Sequence, residues 1–154
     1  MSGPPTVTAS LDAAARARIP EAARAHTPQG AEAFARFYLE QVNQAWMVPD
    51  PELIRPYALA SCKTCANYVE TASSLAHDGL RYDGSPSELG PSIVMPSSSE
   101  ELTVVHIGQV QLNRRIVHAD GRVDEVMPRV PGETEVQLVW EDNRWTIVEI
   151  KDVQ

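Results

Sequence analysis

A chain of 154 residues with 43% hydrophobic and 22% charged side chains is long enough for one domain with its own core. It is too apolar for a disordered segment. Thirteen basic against 21 acidic residues leave a formal charge of -8, which argues against nucleic acid as a partner, since phosphate binding needs a positive surface.

The opening residues, Met1-Ser2-Gly3-Pro4-Pro5, lack the basic segment and apolar core of a signal peptide. Taken literally they place the chain in the cytoplasm. They equally suit a start placed on a chain whose leader has been removed. Residues 1–10, rich in Pro, Thr and Ser, read as a tether. Residues 11–25 are alanine-rich, but Pro20 interrupts any continuous helix, so partial order is expected there. The organisation that follows is a flexible or partly ordered tail over residues 1–18 and a single domain over 19–154.

The first strong element begins at Thr27-Pro28, a cap followed by a proline suited to the first helical position. Ala31, Phe34, Ala35, Tyr38, Leu39, Val42 and Trp46 recur at three- and four-residue spacing, with Glu32, Arg36, Glu40 and Gln44 opposite. That pattern predicts an amphipathic helix with one buried stripe. Asp50-Pro51 repeats the signal for a short helix through Tyr57, with Leu53, Ile54 and Tyr57 inward. A third helix is expected from Cys62 to about His77, capped by Ser61, with Cys65, Tyr68, Val69, Ala72 and Leu75 inward and Gly79 as its stop.

After Gly79 the composition changes. Leu80-Arg81-Tyr82 suits a short strand, and the proline- and serine-rich stretch over 85–101 reads as a loop that cannot sit in a sheet interior. Residues 101–127 contain a long strand and a turn at Asp120-Gly121. A hairpin turning at Asp142-Asn143 would set Trp140 opposite Trp145 and Leu138 opposite Ile147. Helices first and antiparallel strands after predict α+β, with N-terminal helices packed on a curved antiparallel sheet.

Cys62 and Cys65, the only cysteines, admit several readings. A zinc site would need His26, His77, His106 or His118 to complete the set, and none stands at finger spacing. A redox pair would sit at a helix start, as Cys62 does, but no βαβ pattern surrounds it. Residues three apart on a helical turn fall within disulfide reach, so a local staple is the simplest reading, and it implies an oxidising compartment. Two free buried thiols are the plain alternative.

Thr27, Gly30-Ala31, Phe34, Phe37-Tyr38, Asn43, Trp46, Asp50, Cys62 and Cys65 form a pattern that resembles an uncharacterised family of actinobacterial secreted lipoproteins. That family is similar in turn to the NTF2-like, or cystatin-like, cone, and the order of elements here matches the cone over residues 19–153. The resemblance implies a signal peptide and a lipidated cysteine upstream, with residues 1–10 as tether, and hence an extracytoplasmic protein attached to the membrane only through that anchor. It implies no chemistry, because a shared fold does not transmit function.

Cones of this kind enclose a pocket between helices and sheet. The residues expected to line it are Phe34, Tyr38, Trp46, Tyr57, Tyr68, His106, Leu112 and Trp140. Catalysis there would need an acid or base tuned by burial, and His106, Asp50, Asp83 and Tyr57 are the candidates, His106 first. No nucleophile elbow, HExxH, phosphate loop or dinucleotide fingerprint is present. The expectation is therefore a non-catalytic domain binding a small apolar ligand or a protein, without metal or cofactor, as a monomer or a homodimer through the sheet. An isomerase- or dehydratase-type enzyme using His106 as base is the alternative.

Overall fold

The computed structural model describes residues 11–153; the tether expected over residues 1–10 lies outside them. The first ordered element, α1 (Ala13–Arg18), is capped by Asp12, whose Oδ1 accepts from the Ala15 amide at 2.7 Å. Buried Ala15, with buried Leu11 just ahead of the cap, docks it on the rest of the fold. Arg24 closes its far end, donating from Nε to the Ile19 carbonyl at 2.8 Å and from Nη2 to the Arg16 carbonyl at 2.9 Å.

Helix α2 (Pro28–Met47) starts where the sequence predicts, with Thr27 Oγ1 accepting from the Gly30 amide at 2.9 Å. Gly30 is required by close approach: a Cβ there would stand 2.0 Å from the Ala25 carbonyl oxygen. Phe34, Ala35, Tyr38 and Leu39 are fully buried. The expected short helix is two turns of 3-10 helix, Pro51–Leu53 and Arg55–Tyr57. Pro56 lacks the amide that would have continued the first turn.

Helix α3 (Lys63–Asp78) ends at Gly79, which takes the left-handed conformation at φ 69°. Its cap is Cys62 rather than the expected Ser61. Cys62 is bonded to Cys65, with Cα atoms 5.2 Å apart, and Cys62 Sγ accepts from the Cys65 amide at 3.2 Å. The sulfur thus occupies the place of a capping oxygen, and both cysteines are buried.

Seven strands follow: β1 (Leu80–Tyr82), β2 (Ser87–Val94), β3 (Thr103–Gln111), β4 (Arg114–His118), β5 (Val123–Met127), β6 (Val130–Glu141) and β7 (Arg144–Asp152). They form antiparallel sheets in the orders β2-β3-β6-β7 and β1-β4-β5. Gln111 pairs with Val130 and Arg114 with Met127, so the register carries across the break. One long antiparallel pair, β3–β4 against β5–β6, therefore runs through both sheets and is interrupted at residues 112–113 and 128–129.

Strand β2 corrects the loop expected over residues 85–101. Its one proline, Pro91, is tolerated because β2 is an edge strand and the residue falls in a register shift between Leu89 and Ser92. Helix α2 pins that shift: Arg36 Nη1 donates to the Gly90 carbonyl at 2.6 Å and to Ser92 Oγ at 3.2 Å, while the Ser92 hydroxyl donates to Glu32. The last hairpin matches its sequence. Asp142 and Asn143 take φ of 55° and 62°, and Trp140 faces Trp145 and Leu138 faces Ile147. The helices cover one face of the four-stranded sheet, burying Val105, Ile107, Val136, Leu138, Ile147 and Ile150. This is an α+β fold with N-terminal helices packed on an antiparallel sheet.

Candidate functional site

A cavity of about 500 Å³ opens where α2 and α3 meet the beginning of β6 and the end of β7. One wall is aromatic. Trp46 stacks on Tyr82 with centroids 5.5 Å apart and meets Tyr68 edge-on at 5.8 Å. Its indole Nε1 donates to the Tyr68 carbonyl at 3.1 Å, which fixes the ring. Burial, with Asp152 adding its charge, pushes the Tyr68 hydroxyl up to about 12. Burial also raises Tyr82, and Glu125 adds to it.

The opposite wall is a run of polar side chains drawn from four elements. Asn43 Nδ2 on α2 donates to Glu40 Oε1 at 3.0 Å and to the Ser87 carbonyl at 3.1 Å. The Ser87 hydroxyl on β2 donates to Asn43 Oδ1 at 2.9 Å, and Gln109 Nε2 on β3 donates to Ser87 Oγ at 3.1 Å. Thr134 on β6 donates to Gln109 Oε1 at 2.8 Å. Asn43, Ser87 and Thr134 are buried, and each stays tolerable there because it is bonded. Asp152, paired with Thr134 in register, stands exposed at the mouth.

Of the residues expected to line a pocket, the structure brings Trp46 and Tyr68 to this cavity. Phe34, Tyr38 and Tyr57 are packed solidly in the core. Tyr38 has no hydrogen-bond partner for its buried hydroxyl among the described residues, and burial raises its pKa. Tyr57 donates to the Ala15 carbonyl at 2.6 Å, and burial raises its pKa. Leu112 sits in the break between β3 and β4, its amide donating to the Pro86 carbonyl at 2.9 Å. Trp140 lies near the far end of β6, about 20 Å along the strand from Thr134, stacked on His26 at 4.6 Å.

His106 is a correction. It shares a strand face with Val104, Gly108 and Val110, as alternation predicts, but the helices cover the other face, where Val105 and Ile107 are fully buried. His106 therefore points away from the cavity. Its Nδ1 lies 3.0 Å from Glu133 Oε2 and its Nε2 2.9 Å from Glu135 Oε1. The other candidate groups are equally engaged elsewhere. Asp50 caps a 3-10 turn, accepting from the Glu52 amide at 3.0 Å. Asp83 accepts from the Arg115 backbone amide and Nε, both at 2.9 Å, and these bonds hold its carboxyl below the usual range. Among the described residues no cluster of three or more His, Cys, Asp or Glu is arranged to hold a metal, and no helix is long and apolar enough to cross a membrane.

Sequence reasoning missed Tyr82, Ser87, Gln109, Thr134 and Asp152 as lining residues. The usable signal was on β3, where Gln109 continues the inward alternation of Val105 and Ile107, an unexpected polar residue on a core-facing row.

A family model described as a family of unknown function (DUF6318) matches residues 16–151. The chain belongs to that family. No curated protein matches DUF6318's member here. Among solved structures, the chain is similar to the intermembrane space region of the chloroplast protein ARC6, with a TM-score of 0.59 and 15% identity, covering 84% of this chain and 98% of that one. It is also similar to an uncharacterised protein with a cystatin-like fold from Caulobacter vibrioides (TM-score 0.49, 15% identity, 81% and 92% covered). A protein from Kribbella flavida matches at TM-score 0.45 and 11% identity, with 80% and 88% covered. At these identities the likeness is one of fold.

Proposed function

We propose that this DUF6318 domain is an extracytoplasmic, non-catalytic binding module carried on a lipid anchor, and that it takes a small ligand in the cavity beside Trp46. The observation that carries the reading is the cavity itself: about 500 Å³, within the range of ligand sites, with an aromatic wall and a fixed polar wall. The groups lining it are suited to holding a ligand rather than to proton transfer, and His106 faces the other way. The Cys62–Cys65 bond supports an oxidising compartment. The likeness in fold to an intermembrane space region agrees with an address outside the cytosol.

Thermal melts of the oxidised domain against pools of cationic, neutral and anionic small molecules test the binding claim. A ligand at a hundredfold its Kd adds about 2.7 kcal/mol of stability, a shift such melts resolve. No rise with any pool overturns the cavity reading and leaves protein docking as the role. A specific feature favours that second reading: Val123, Val126 and Val130 are exposed within eight residues of chain.

A further inference from the structure

The hydrogen-bonded wall of the cavity has a direction, and Glu40 sets it. A carboxylate only accepts, so Asn43 must present its amino group to Glu40 and its carbonyl oxygen to Ser87. Ser87 must then donate to Asn43 and accept from Gln109. Gln109 turns its own carbonyl to Thr134, which must donate. The single hydroxyl protons of Ser87 and Thr134 are both committed inside the chain. What Thr134 offers an occupant of the cavity is lone pairs, and Gln109 offers one further lone pair and one amide proton.

Charge points the same way. Among the described residues no lysine, arginine or histidine lines the cavity. Asp152 stands at its mouth on the inner face, opposite Thr134 in register. Its charge reaches Tyr68, and that of Glu125 reaches Tyr82, so the aromatic wall lies in a negative field. An acceptor-rich wall, a carboxylate and electron-rich rings together suit a ligand with N–H donors and a positive charge. An anionic ligand would meet repulsion from Asp152, with only neutral donors such as the Gln109 amide proton to offset it.

We propose that the cavity is a site for an organic cation, a protonated amine hydrogen-bonded to Thr134 and Gln109 and neutralised by Asp152, its carbon body lying against Trp46, Tyr68 and Tyr82. This rests on the binding reading above and names the ligand class. The test uses three probes of one shape: 2-phenylethylammonium, 2-phenylethanol and 3-phenylpropanoate, titrated at constant ionic strength. The readout is the Trp46 indole N–H resonance, assigned with Trp46→Phe. The ammonium is expected to move that resonance to saturation at least about tenfold more tightly than the alcohol, the carboxylate leaving it in place. Asp152→Asn should bring the ammonium to the affinity of the alcohol, with the melting temperature held. Equal binding of ammonium and alcohol, unaffected by Asp152→Asn, overturns the cation assignment but leaves a ligand site. If none of the three moves the resonance at about 10 mM, where even a Kd of about 1 mM would show, both proposals fall.

Discussion

Glu135 divides its carboxylate between two partners, accepting from Gln137 Nε2 at 2.7 Å on one oxygen and meeting His106 Nε2 at 2.9 Å on the other. The bond from Gln137 and, after it, the contact with His106 hold its carboxyl below the ordinary glutamate range. A carboxyl lowered in the folded state binds its proton more readily when unfolded. Its stabilising contribution is complete above the ordinary value of about 4.3 and disappears as pH falls through the folded value. Urea midpoints measured from about pH 6 down to 3 should therefore fall less steeply for Glu135→Gln than for the parent. Parallel curves would show that the carboxylate makes no such contribution. The contact with Glu135 also marks the side of the sheet that His106 occupies, which its strand alternation leaves open. A histidine on a partly apolar alternation can face either side of a sheet, and only the packing of α2 against Val105 and Ile107 decides which.

The closing hairpin illustrates how far element-level reasoning reaches. Asp142-Asn143 specifies its own turn, because both residues tolerate positive φ, and the register of Trp140 with Trp145 follows from it. What the turn does not specify is which ring is buried. Trp145 is 3% exposed, with Nε1 donating to the Ala25 carbonyl at 2.8 Å, whereas Trp140 is partly exposed and stacks on His26. Trp145→Ala should cost about 3–5 kcal/mol, and Trp140→Ala clearly less, in chemical denaturation. Equal losses would mean that the stack on His26 anchors as strongly as the buried ring. Helices α2 and α3 were legible because Thr27-Pro28 and Gly79 mark their ends and their apolar stripes are unbroken. Strand β2 was not legible, since Pro86 and Pro91 imitate a loop and only an edge position with a bulge reconciles Pro91 with a ladder. The polar wall of the cavity escaped for a different reason. Asn43, Ser87, Gln109 and Thr134 are far apart in sequence, and only the register of β2, β3 and β6 puts them in contact.

For the molecule as a whole, the Cys62–Cys65 bond ties the first turn of α3 beneath the turn that precedes it, and Thr64 Oγ1 then donates to the Ile150 carbonyl at 2.9 Å. Alkylation of the protein without reductant should label neither thiol. Reduction, or the paired Cys62→Ser and Cys65→Ser change, should lower stability by about 2 kcal/mol, the low end for so small a loop. Full labelling of native protein would contradict an oxidised pair. The borders of the four-stranded sheet are guarded by local chemistry. At one border Pro91 withholds a donor and the bulge breaks the ladder. At the other, the Leu59 amide occupies the Ile147 carbonyl at 2.9 Å and Thr64 occupies that of Ile150. These contacts guard the margins of the four-stranded sheet, while β5, an edge of the three-stranded sheet, stays exposed with Val123 and Val126 on it. A strand arriving from another chain is turned away along both sides of the larger sheet, which leaves β5 as the edge where such pairing would have to begin.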